Sequence, residues 1–222
     1  MGASSSSPAP PSRPGLPGRT SAPHPAPDPA STRGTGPLQT IVGLDKIDIA
    51  KQVSEILPGL WLGNREAACN LALLRRLGIG ACVNVTEQPT LHPEHMLHLH
   101  VHVHDSPEAD LASHFDRVVP WVKKQLERPE PPQILIYCQK GVSRSCTVTL
   151  VLLLHLKGWT LYEAWRHVKM RRPAVRPNPG FLRQLAAYER QMRGSCSVRV
   201  CKKGFERASN APTEALASSR VI

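Results

Sequence analysis

Ile134-Leu135-Ile136-Tyr137 runs without a break into Cys138-Gln139-Lys140-Gly141-Val142-Ser143-Arg144-Ser145, and beyond Arg144 the chain is almost wholly apolar to Leu156. The first four residues are a continuous apolar run, the pattern of a strand covered on both faces. The last stretch predicts a helix buried nearly all round. What joins them is a tight loop. Such a loop turns successive backbone N–H groups into one concavity at the positive end of a helix, a place for an anion. Gly141 permits the left-handed or close-approach backbone that this geometry needs. A cysteine at the mouth of the loop has its thiolate favoured by amides and dipole. Arg144 adds a planar fork that suits two phosphate oxygens. The expected cradle is therefore Gln139, Lys140, Gly141, Val142, Ser143 and Arg144, with Cys138 aimed at the phosphorus. A packed core thiol beside an ordinary helix-start arginine is the competing reading. It fits a lone cysteine better than Cys-x5-Arg-Ser between a buried strand and a buried helix.

Working outward, strands and helices alternate. Pro58-Gly59 is a turn signal between short apolar runs at 54–57 and 60–62. Asn64 is placed to cap a helix over residues 64–77, with Ala67, Leu71, Leu74 and Leu77 on one stripe. Residues 81–85 are a short β-rich run, and residues 96–103 alternate strictly as a strand does. Ser113 opens an amphipathic helix through Phe115, Val118, Val119, Val122 and Leu126. Thr160-Leu161-Tyr162-Glu163 is a capping box. Asn178-Pro179 opens a last helix, with proline at its favoured first position. The expected fold is α/β, a central mostly parallel sheet flanked by helices.

Ten of the 22 prolines fall in the first 37 residues. Residues 1–43 are rich in Pro, Ser, Ala and Gly and predict a disordered segment, because they bury too little apolar surface to offset chain entropy. Residues 44–193 form the expected domain, and residues 194–222 read as a flexible basic tail. The 28 basic and 17 acidic residues give a formal charge of +11. That charge is spread out, without a block of five like charges and with few aromatics. It suits anionic substrates, and no nucleic acid is expected as a partner. The longest apolar run, residues 147–154, falls far short of the ~18–20 residues of a membrane span. Six scattered cysteines without a CxxC pair, and a start that lacks an apolar signal core, point to a reducing cytoplasmic compartment. The nucleus remains an alternative location.

Several motifs together carry a resemblance. They are Leu57-Pro58-Gly59-Leu60-Trp61-Leu62-Gly63-Asn64, Val83-Asn84-Val85, His104-Asp105-Ser106-Pro107, the Cys138–Ser145 loop, and Arg172-Pro173 with Pro177-Asn178-Pro179-Gly180-Phe181. Over roughly residues 54–192 the chain resembles the small atypical dual-specificity phosphatases of the cysteine-dependent protein tyrosine phosphatase superfamily. The resemblance implies a protein tyrosine phosphatase-like fold, phosphoprotein substrates and hydrolysis of phosphotyrosine and phosphoserine/threonine. By the same resemblance Cys138 is the nucleophile, and Arg144 with the loop amides holds the equatorial oxygens. Ser145 is the hydroxyl that assists the leaving thiolate, and Asp105 is the general acid, with Asp110 as the competing carboxylate. A thiolate replaces activated water in this chemistry, so neither metal nor other cofactor is expected. One departure stands out: the family usually has His before the nucleophile, and here it is Tyr137. Tyrosine brings no positive charge, so the expectation is a less stabilised thiolate. A weakly active phosphoprotein-binding module is the alternative this opens, and a phosphatase for non-protein phosphates is another.

Three further features have weaker readings. His98, His100, His102 and His104 share one strand face, spaced ~6.6–7 Å, and read as an exposed face rather than a metal site. Cys82 and Cys146 are candidate partners for an oxidised Cys138, though core thiols are the better reading. Met1-Gly2-Ala3-Ser4-Ser5-Ser6 fits an N-myristoylation pattern at Gly2, which implies marginal, reversible membrane binding.

Overall fold

The computed structural model describes residues 49, 51–90, 92–202 and 204–209. Gly2 and the Pro/Ser-rich residues 1–43 lie outside the described residues. Five strands make the main sheet: β1 (Val53–Leu57), β2 (Leu60–Asn64), β3 (Ile79–Asn84), β4 (Leu97–His100) and β5 (Gln133–Cys138). Their order is β1-β2-β5-β3-β4. β1 and β2 form an antiparallel hairpin, and Gly59 in its turn has a φ of 83°. The other three pairings are parallel, so β5, which ends in Cys138, lies at the centre of a mostly parallel sheet.

Helices flank the sheet, among them α1 (Arg65–Cys69), α2 (Leu71–Arg76), α3 (Phe115–Leu126), α4 (Arg144–Lys157), α5 (Leu161–Arg171) and α6 (Pro179–Arg193). Side chains alternate across a strand, and on β5 that alternation assigns each residue to a core. Ile134, Ile136 and Cys138 belong to the larger cluster, with Val148, Leu152, Phe115 and Phe181. Leu135 and Tyr137 belong to the smaller one, with Ala67, Leu74, Cys82 and Met96. Every residue of α4 from Arg144 to Leu154 is buried, because other helices pack over it. Thr160 makes both halves of its capping box, and Asn178 caps α6 by accepting from the Phe181 N–H at 3.0 Å.

Four expectations change. The helix predicted over 64–77 is two helices. The Asn70 side chain accepts from the Leu73 N–H while its own N–H donates to the Ala67 carbonyl, so one residue ends α1 and starts α2. Leu71, predicted to lie on the buried stripe, is 44% exposed. The strand predicted over 96–103 is regular only through Leu97–His100, because β3 ends at Asn84 and the Val101 N–H takes the last carbonyl there. Inward burial nonetheless continues at Val101 and Val103. The helix predicted from Ser113 begins as a 3-10 turn, Ala112–His114, before α3.

The largest change is at residues 194–222, read as a flexible tail. Residues Val198–Cys201 (β6) and Gly204–Arg207 (β7) form an antiparallel ribbon. The ribbon packs on the domain. Phe205 meets Trp165 edge-on with centroids 5.5 Å apart. Gly204, at φ 124°, lies so close to the Trp165 ring that a Cβ there would overlap it. Before the ribbon, the fully buried Glu189 carboxylate accepts from the Ser197 N–H at 2.8 Å and the Leu161 N–H at 2.7 Å. Four-residue strands leave little periodicity to read, and their partners lie on α5 and α6.

Candidate active site

Cys138 ends β5 and is almost fully buried. The backbone after it turns through Gly141, whose φ is 66°. The loop carbonyls face outward. Gln139 O accepts from the Arg65 N–H at 3.4 Å and Val142 O from the Arg176 N–H at 2.8 Å. Gly141 O accepts from Arg172 Nε at 2.9 Å. With the carbonyls bonded outside, the intervening amides are left to line the concavity, as in an anion nest. A Cβ at Gly141 would stand 2.5 Å from Gly63 O, so the loop passes too near β2 for any larger residue.

Arg172 is a structural part of this cradle. It is buried, and its guanidinium also donates to Lys51 O at 2.9 Å. Burial lowers its pKa, while Cys138 and Cys146 act in the opposite direction. It places a second buried cation near the nucleophile. Its neighbours Arg171 and Arg176 are exposed.

Ser145, fully buried in the first turn of α4, donates to Cys138 Sγ at 3.1 Å. Arg144 is 5% exposed, and its Nη1 donates to Val103 O and to Glu87 Oε1, both at 3.0 Å. Arg144 Nε is buried with no hydrogen-bond partner, and Asp105 Oδ2 lies 3.7 Å from it. A buried donor without a partner costs about 1–3 kcal/mol, which an oxyanion at this position would relieve.

Asp105 stands on the rim. Its Oδ1 accepts from Ser143 Oγ at 2.7 Å and from Asn178 Nδ2 at 3.0 Å. Ser143 Oγ in turn accepts from the Asn178 N–H at 3.1 Å. The acid loop is also tied to α6. Gln184 accepts from the Leu111 and Ala112 N–H groups at 3.0 and 2.9 Å and donates to Ala109 O at 2.8 Å. A Cβ at Gly180 would overlap the Pro107 carbonyl. Asp110, the competing carboxylate, instead accepts from the Ser113 N–H at 3.1 Å and holds the 3-10 turn.

The structure thus brings together Cys138, Arg144, Ser145, Ser143 and Asp105. The sequence reading lacked Glu87, which is 57 positions from Arg144 with nothing local to mark it, and it gave Asn178 only a cap. Tyr137 lies on the opposite sheet face from Cys138, fully buried, with its hydroxyl 2.9 Å from His92 Nε2. Burial pushes the Tyr137 hydroxyl up. Cys82 shares that far face, and burial pushes its thiol up to about 12. Burial also pushes the Cys146 thiol up. Neither reads as a reactive thiol. Among the described residues no three His, Cys, Asp or Glu side chains group as a metal site, the histidine strand included. Among them, too, no helix is long and apolar enough to cross a membrane.

The sequence profile of the dual specificity phosphatase catalytic domain matches residues 60–191. This chain belongs to the dual specificity phosphatase family. Mouse dual specificity protein phosphatase 26 is 39% identical over 145 residues, covering 63% of this chain and 68% of that protein. Human dual specificity protein phosphatase 14 is 36% identical over 154 residues, covering 69% and 77%. Among solved structures, human DUSP28 superposes with a TM-score of 0.60 at 33% identity, covering 64% of this chain and 95% of that one. The family's activity, protein phosphatase of dual specificity, is that of this chain, and its fold is the α/β sheet described above. The ribbon at residues 198–207 lies beyond the matched profile.

Proposed function

We propose that this chain hydrolyses phosphoprotein monoesters through a thiophosphate on Cys138, with Asp105 as acid and base. The observation that carries the reading is one constellation. A cysteine with a hydroxyl donor 3.1 Å from its sulfur sits at the mouth of an outward-bonded loop, with a carboxylate tied to that loop at 2.7 Å. In the first step the Cys138 thiolate attacks phosphorus and the P–O ester bond breaks. Asp105 gives its proton to the departing oxygen, and the loop amides and Arg144 hold the equatorial oxygens. In the second step Asp105 takes a proton from water, whose oxygen attacks phosphorus. The P–S bond breaks, Ser145 donates to the returning thiolate, and inorganic phosphate leaves.

Asp105→Asn tests the acid. A peptide phosphate has a basic leaving oxygen that needs a proton, whereas an activated aryl phosphate does not. The expected result is a fall in kcat/KM, which reports the first step alone, of about 10²-fold or more on phosphopeptides and a much smaller fall on the aryl ester. Asp110→Asn is expected to leave both nearly unchanged. The reverse pattern would assign the acid to Asp110.

A second reading, a weakly active fold that mainly holds phosphoproteins, draws on Tyr137 in place of the histidine before the nucleophile. Single-turnover rates on a phosphopeptide separate the two.

The proposal extends to the N-terminus. Gly2 carries a myristoyl group that gives weak, reversible membrane contact to an otherwise cytoplasmic enzyme. Gly2→Ala is expected to remove the membrane-bound fraction and leave turnover in solution as it was. An absent acyl adduct, by mass spectrometry of protein made in eukaryotic cells, counts against it.

A further inference from the structure

Beside the catalytic loop opens a groove of about 660 Å3. Asp105 and Ser143 form its inner end. Its outer wall is the C-terminal ribbon, through Val200, Cys201, Lys202 and Gly204. Pro177, Pro179 and Leu182 supply an apolar floor. The rim is basic: Lys140 on the catalytic loop, Arg176 beside it and Lys202 at the ribbon's turn are all exposed. Asp105 is the one acid among the described residues that line it.

The wall is held in place. Glu189, Trp165 and Phe205 anchor the ribbon through a buried carboxylate and an edge-on ring pair. Val200 nonetheless remains 36% exposed on the ribbon. A groove whose lining holds an exposed apolar side chain, three cations and two residues of the catalytic site fits a chain segment of matching character.

We propose that the ribbon makes this groove a recognition site for the residues flanking the phosphorylated one. The preferred protein substrate has an apolar side chain next to the phosphoresidue and acidic residues just beyond it. The apolar neighbour packs against Leu182 and Val200, and the acids face Lys202, Arg176 and Lys140. This rests on the phosphatase reading above, and it adds a specificity element from outside the matched family profile.

The test uses the full chain and synthetic phosphotyrosine peptides with leucine beside the phosphoresidue. Beyond it they carry either Asp-Glu or Lys-Arg, on the N-terminal side in one set and the C-terminal side in the other. The readout is the ratio of kcat/KM for the acidic peptide to that for its basic counterpart. The wild-type ratio is expected to favour acid clearly in at least one set. In that set Lys202→Ala is expected to lower the ratio about threefold and Lys202→Glu about tenfold, as rim charges do. Val200→Ser is expected to lower kcat/KM for the leucine peptide relative to a glycine version. Circular dichroism confirms that the surface variants fold. Ratios that do not move in either Lys202 variant overturn the proposal, as does a wild type without acid preference. Wild-type failure to turn over an aryl phosphate is a separate result and would remove the phosphatase reading itself.

Discussion

Cys138→Ser is expected to lower turnover of any phosphate monoester by at least about 10⁴-fold, with binding of a phosphate mimic retained. The two consequences separate because two sets of atoms are involved. The bond-forming atom is Sγ alone. A serine hydroxyl in its place is not ionised near neutral pH, so the attack on phosphorus loses its nucleophile. The binding groups are the loop amides and the Arg144 guanidinium, and the loop's shape is set from outside by Arg172, Arg176 and Arg65. The substitution touches none of these. Serine is also slightly smaller than cysteine, so the fully buried Ser145 beside it needs no rearrangement. Tungstate titration, followed by calorimetry, is expected to give a Kd within about tenfold of wild type, less than the ~1.5–3 kcal/mol that loss of a charged hydrogen bond would cost. Comparable turnover by both proteins would exclude covalent catalysis at this residue.

Arg144→Lys is expected to cost about 10²–10³-fold in kcat, the scale of losing one oriented oxyanion donor. The charge is kept, so the loss measures geometry. Arg144 Nη1 is fixed between Glu87 and the Val103 carbonyl, which sets the plane of the guanidinium and leaves Nε buried without a partner. A lysine ammonium is a point donor. It can satisfy the Glu87 and Val103 acceptors or reach the phosphate position, but it has no planar fork with which to do both. Glu87 itself is half-exposed, so removing it is expected to loosen Arg144 without abolishing turnover. If Arg144→Lys retains wild-type kcat on phosphopeptides, the guanidinium is not the transition-state clamp.

The centre of the molecule was legible because its determinants are contiguous. Residues 134–156 carry strand, loop and helix in one run, and the period-two alternation of β5 separates Cys138 from Tyr137 across the sheet. Asn70 was harder. As a cap it competes with a helical stripe that continues on both sides of it, and the stripe alone gave one helix where there are two. Asp105 was placed by the family resemblance, yet its partners Ser143 and Asn178 come from the catalytic loop and from the start of α6. Asn178 could be read as a cap from Asn-Pro. Its Nδ2 reaching Asp105 depends on how two distant loops meet, which no local pattern encodes. The same holds for Glu189. A carboxylate on the buried face of α6 breaks the helix's amphipathic pattern and would ordinarily count against burial. It is buried because the Leu161 and Ser197 backbone donors converge on it. The ribbon at 198–207 was missed for that reason: its strands are short, and what orders them is a partner elsewhere in the chain.

The account's central claim is that phosphate passes through Cys138. The most direct measurement is rapid acid quench of the Asp105→Asn enzyme during turnover of an activated aryl phosphate, followed by peptide mass spectrometry. This variant still forms the intermediate from a good leaving group, while its water-activating base is gone, so the intermediate accumulates. The account predicts one phosphoryl group on the peptide containing Cys138, absent from a Cys138→Ser control. Steady release of phosphate with no such adduct, or an adduct on another residue, would contradict it.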